Sequence, residues 1–74
     1  MGRKYSTILP QAPVARLIQK AGATRVSDDA AMELVDILSE YGTEISKYAV
    51  KIAEHSGRKT VRAGDVKLAA EKMK

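Results

Sequence analysis

Between Ser27 and Gly57 the chain contains no proline, and one apolar stripe runs through the whole interval. Ala31, Leu34, Val35, Leu38, Tyr41, Ile45, Ala49, Ile52 and Ala53 recur at three- and four-residue steps, the period of an amphipathic helix. The pattern predicts a helix of about 28 residues, roughly 42 Å long at 1.5 Å per residue. A compact globule of 74 residues has a radius of gyration of only about 11 Å. Two short neighbouring helices cannot cover such a rod. The stripe therefore calls for a second copy of the chain.

The flanking segments supply those short neighbours. Val14, Leu17, Ile18 and Ala21 space as one apolar face. Pro13 fits the first turn of that helix, where its missing N–H costs nothing, and Gly22 fits its C-terminal stop. Ser27 is a good N-cap for the long helix, with Asp28 and Asp29 complementing the dipole in its first turn. Gly57-Arg58-Lys59 breaks the pattern, and Thr60-Val61 is a short β-prone pair. A last helix is expected from about Arg62 to Met73, with Val66, Ala69, Ala70 and Met73 on one face. The layout is all-α: short helix, long central helix, short helix. Residues 1–8 read as a basic N-terminal arm and 9–74 as the folded domain.

Charge is segregated along this layout. Residues 1–25 carry five bases (Arg3, Lys4, Arg16, Lys20, Arg25) and no acid. Residues 28–44 carry six acids and no base, and residues 47–74 carry eight bases against three acids. The net charge of +4 thus conceals two basic ends flanking an acidic segment. Such clustering builds a local positive field that a polyanion responds to. With no cysteine, neither disulfides nor thiolate–metal clusters can stabilise so small a chain, which again favours oligomerisation. No apolar run approaches the roughly 20 residues that span a bilayer, and no signal-peptide core follows the first bases. The expectation is a cytoplasmic, basic protein whose first candidate partner is nucleic acid.

Three segments carry a family resemblance: Pro10-Gln11-Ala12-Pro13, Arg25-Val26-Ser27-Asp28-Asp29-Ala30 and His55-Ser56-Gly57-Arg58-Lys59-Thr60-Val61. With this layout the chain resembles an archaeal histone from Leu9 to Lys74. The resemblance implies the histone fold, an intertwined head-to-tail homodimer, and binding, wrapping and compaction of double-stranded DNA. It also implies association of dimers into a tetramer or larger assembly on DNA, and a chromosome-associated, nucleoid location. In two antiparallel copies Arg25 of one approaches Arg58 and Lys59 of the other, so that paired loops form a basic end. The N-termini of the first helices add free N–H donors for phosphate.

Under that resemblance Arg16, Arg25, Ser27, Arg58, Lys59 and Thr60 are the candidate DNA contacts, with Arg16 entering the minor groove as arginines do in nucleosomes. Each has a plainer reading. Arg16 and Arg25 suit ordinary solvated positions, Ser27 suits a cap, and Arg58 matches a family ion pair with Asp65 that ties the second loop to the last helix. Ile52, His55 and Asp65 match a dimer–dimer contact, although His55 also suits an exposed helix end. Gly22 matches a position that permits close stacking in DNA-wrapping filaments, and equally a helix C-cap glycine. Gln19 stands where some relatives carry a lysine, and Met73 where some carry an aromatic residue.

No enzyme is expected. There is one histidine, no cysteine, no glycine-rich phosphate loop, and the carboxylates fall on a solvated helix face. No metal site, cofactor, small-molecule substrate or membrane contact is anticipated. The competing reading is a histone-fold protein-interaction subunit of a transcription-factor-like heterodimer, which would lean on a distinct partner.

Overall fold

A computed structural model describes residues 9–74; the arm expected at 1–8, with Arg3 and Lys4, lies outside the described residues. Three helices follow one another: α1 (Gln11–Lys20), α2 (Asp28–His55) and α3 (Ala63–Lys72). Among the described residues there is no strand. Thr60 and Val61 lie in the loop before α3, because β propensity forms no ladder without a strand to pair with.

α1 starts at Gln11, two residues ahead of Pro13, which takes the third helical position. No intrahelical acceptor exists for an N–H there, so the proline costs no hydrogen bond. At the other end the Gly22 N–H donates to Gln19 O (3.0 Å) and the Ala23 N–H to Ile18 O (3.4 Å). These are the two bonds of a Schellman motif, and Gly22 occupies its C′ position at φ +124°.

α2 opens on Ser27, whose Oγ accepts the Ala30 N–H at 3.1 Å while its carbonyl accepts the Ala31 N–H. The helix covers 28 residues, as the stripe predicts. It closes as α1 does. Gly57, at φ +73°, donates to Glu54 O (2.9 Å), and the Arg58 N–H donates to Ala53 O (3.0 Å). α3 begins at Ala63, one residue later than expected, with Arg62 in extended backbone as its N-cap. It stops at Lys72, and Met73 is the C-cap.

The chain divides within α2 into two compact units, one through Glu40 and one from Tyr41. In the first, Val14, Ala31 and Val35 are buried; in the second, Ala49, Ala53 and Ala69. Four of these six side chains are a single methyl, and burying one such group is worth only about 0.8 kcal/mol. Larger apolar side chains stay open: Leu17 and Ile37 in the first unit, and Tyr41, Tyr48, Val50, Val61, Val66 and Leu68 in the second. Leu17, Tyr41 and Val66 belong to the faces expected to pack. The single chain leaves them open, because it has too few elements to cover them.

Candidate nucleic-acid interface

The two loops that carry the candidate bases start from the same device. Each Schellman motif turns the chain sharply off a helix end and releases it into a short irregular segment. After α1 this segment ends in Arg25-Val26-Ser27. After α2 it is Arg58-Lys59-Thr60.

In the second loop the motif also places Arg58. With its backbone N–H held by Ala53 O, its guanidinium reaches forward to α3. Nη1 donates to Asp65 Oδ2 (2.9 Å) and to Thr60 O (3.0 Å), and Nη2 donates to Asp65 Oδ1 (2.8 Å). Asp65 Oδ2 also accepts the Arg62 N–H at 2.8 Å, the acidic half of a capping box. Its side chain is 7% exposed and that of Arg58 23%. The Arg58 hydrogen bonds, followed by the Arg62 N–H, hold the Asp65 carboxyl down to about 2. The same Asp65 hydrogen bond raises the guanidinium pKa. The fork–fork geometry fixes the loop rigidly against its helix. It also means that the charge of Arg58 is largely matched inside its own chain.

Lys59 differs. It is exposed and has no ion-pair or hydrogen-bond partner among the described residues, and the same is true of Arg16 on α1 and Arg25 before α2. Arg62, which sequence reasoning did not select, is exposed in the same loop as Lys59. The Arg58-Lys59-Thr60-Val61-Arg62 run held that signal, hidden by assigning Arg62 to a helix. Thr60 is exposed as well, with its carbonyl engaged by Arg58.

Of the expected phosphate donors, those of α1 have the least competition. The first turn of α1 contains no acid and Pro10 provides no side-chain cap, whereas α2 and α3 open with Asp28-Asp29 and Asp65. The Gln11 side-chain amide reaches Asp28 Oδ1 at 3.5 Å, bringing the start of α1 to the start of α2. Ser27 is a cap, as its bond to Ala30 shows.

Two of the residues expected at a dimer–dimer contact share one surface groove of the single chain. Ile52, half-buried, and His55, exposed, line an open groove of about 750 Å³ with Glu44, Lys47, Tyr48 and Lys51. Glu44 and Lys47 form an ion pair there at 3.7 Å, and both are largely solvated. Asp65 is not part of the groove lining, and both of its oxygens are taken by Arg58 and Arg62. Gly22 holds its C′ post with nothing within 4 Å of an added Cβ. Among the described residues no three metal-ligating side chains cluster, and no helix is long and apolar enough to cross a membrane.

Comparison with known proteins decides the family. The family described as "Histone-like transcription factor (CBF/NF-Y) and archaeal histone" matches residues 7–70. The chain is 57% identical over 63 residues to a subunit of the archaeal histone HAN1 from Thermococcus zilligii, covering 85% of this chain and 94% of the relative. The chain belongs to the archaeal histone family. A further archaeal histone-family relative, "Probable archaeal histone 3" of Methanocaldococcus jannaschii, is 46% identical over 61 residues, covering 82% of this chain and 91% of the relative. The three helices are accordingly those of the histone fold. As an archaeal histone-family member the chain is a DNA-binding protein of chromatin and not an enzyme.

Proposed function

We propose that this chain works as an intertwined, head-to-tail homodimer that wraps and compacts double-stranded DNA without reading its sequence, on the nucleoid of the cytoplasm. The observation that carries the reading is the pair of exposed, unmatched bases at the two ends of α2, Arg25 before it and Lys59 after it. In an antiparallel pair of α2 helices, Arg25 of one protomer and Lys59 of the other share one end, and the two-fold axis generates the second. Arg62 reinforces each end, while Arg58, matched by Asp65, acts mainly by holding Lys59 and Thr60 in place. The acid-free first turn of α1 offers N–H groups to a phosphate, and Ser27 adds its own N–H beside Arg25. Arg16 reaches the minor groove where it faces the protein.

Affinity in this scheme comes mainly from counterion release and falls steeply with salt, and sequence preference comes only from the ease of bending. Further assembly into tetramers or longer arrays uses the α2 groove at Ile52 and His55, with Asp65 supporting its loop and Gly22 leaving room for successive turns to stack. His55→Ala should lower association on long DNA more than it lowers the DNA affinity of an isolated dimer. Equal association of the variant and the parent would remove His55 from the contact.

A second reading draws on the names of the relatives. The matching family includes histone-like transcription factors, and the Thermococcus zilligii relative is called a subunit. Under that reading the chain pairs with a different histone-fold protein. Nuclease digestion of long duplex DNA saturated with the pure protein separates the two. Protected fragments growing by a constant increment indicate stepwise addition of dimers, and one protected size indicates a closed particle. A folded protein that gives no protection at moderate salt would overturn packaging by the chain alone and favour the heterodimer.

A further inference from the structure

α1 contains two bases and no acid. Arg16 and Lys20 stand four residues apart, about 6 Å along the helix axis and about 40° around it, on one ridge. Both are exposed, and neither has an ion-pair or hydrogen-bond partner among the described residues. The sequence from Leu9 to Ser27 holds no acid that could reach back to them. Like charges one turn apart disfavour a helix. Such a pair gains most when an anion outside the chain lies over both.

The direction of the ridge is set by the packing of α1. Val14 is buried and marks the inward side of the helix. At 100° per residue Arg16 lies about 160° and Lys20 about 120° round from it, in the same sense. The pair therefore points away from the core. Ala12 and Gln19, the other exposed residues on that side, are neutral. A polyanion approaching α1 from outside meets two cations and no opposing charge.

We propose that Lys20 is a DNA contact that works with Arg16 as a two-point clamp: Arg16 enters the minor groove and Lys20 binds a phosphate on the strand bordering it. The inference rests on the DNA-wrapping reading above, in which Lys20 has no part. The minor groove is about 6 Å wide, and phosphates follow one another every 3.4 Å of axis along each strand. A cation about 6 Å beyond an inserted arginine therefore falls on the backbone rather than in the groove. The side-chain types suit this division. A flat guanidinium fits a narrow groove, and a flexible ammonium is a point charge for phosphate. The two-fold axis of a homodimer gives two such clamps.

Lys20→Ala is compared with Lys67→Ala, which removes an exposed lysine of α3. Fluorescence-anisotropy titrations of a short duplex over a range of salt, with thermal melts, read the outcome. Loss of one phosphate contact per protomer should take about 1.8 off the slope of log K against log salt for Lys20→Ala. Lys67→Ala should lose little of it, and Lys20→Arg should keep the parental slope. A base in the last turn of a helix also complements its dipole, so a lowered melt with a parental slope would assign Lys20 to the helix alone and overturn the inference. An equal slope loss in Lys67→Ala would overturn it too, by showing only the effect of net charge. A parent that binds no duplex would instead overturn packaging by the chain alone, and the inference with it. Because the chain has no cysteine, Lys20→Cys can carry a single azidophenacyl group. Light should cross-link it to duplex DNA several-fold more than the same group on Lys67→Cys, and equal yields would overturn the contact.

Discussion

Lys59 and Arg58 are neighbours with opposite local circumstances, and replacing each by alanine should produce opposite signatures. Lys59 is exposed and unpaired, so Lys59→Ala should leave stability within about 0.5 kcal/mol of the parent. Its effect should fall on DNA. Each phosphate contact contributes about 0.9 to the slope of log K against log salt, so two protomers lose about 1.8. Between 50 and 200 mM salt that slope corresponds to a factor of about twelve, by which the parent's affinity falls more than the variant's. Arg58→Ala removes three hydrogen bonds and leaves a carboxylate that is 7% exposed with only the Arg62 N–H as partner. Its melting temperature should therefore drop clearly. Any change in salt slope should be smaller than that of Lys59→Ala, because the guanidinium charge is already matched. Fluorescence-anisotropy titrations of a short duplex at five or six salt concentrations, with thermal melts of both variants, make the comparison. A parental slope for Lys59→Ala, or an unchanged melt for Arg58→Ala combined with a slope loss of about 1.8, would refute this division of labour.

Ser27→Ala should destabilise each protomer by about 1 kcal/mol in urea unfolding, since Ser27 Oγ caps the Ala30 N–H; Ser27→Asp should restore most of it. Asp65 should make stability sensitive to acid. Its folded value of about 2 lies below the ordinary carboxyl value near 3.9, so its contribution is complete above about pH 4 and fades as pH falls towards 2. Acid titration of Asp65→Asn should lack that component. Gly22→Ala should cost about 1 kcal/mol although the space is open, because φ +124° strains any residue with a Cβ; calorimetry that finds it neutral would contradict the strain argument.

The three helices and most of their ends were legible in the sequence because the signals are local. A 3.6-residue period, a serine before two aspartates, and glycines at positions 22 and 57 act through contacts four or five residues apart, which exist wherever the chain goes. The β-prone Thr60-Val61 pair forms no strand in the single chain for the converse reason: a strand exists only if another strand lies beside it. The Arg58–Asp65 fork had no period to reveal it, and only the likeness to a family pointed there. The folded chain was needed to show that Lys59 stays unmatched, that Arg62 joins it, and that both oxygens of Asp65 are engaged by Arg58 and Arg62. Tertiary structure also separated the apolar residues into those the chain covers and those it leaves open. Patterning dictates which face of a helix is apolar. Whether that face is buried depends on what lies across it, and for Leu17, Tyr41 and Val66 the chain itself provides no cover.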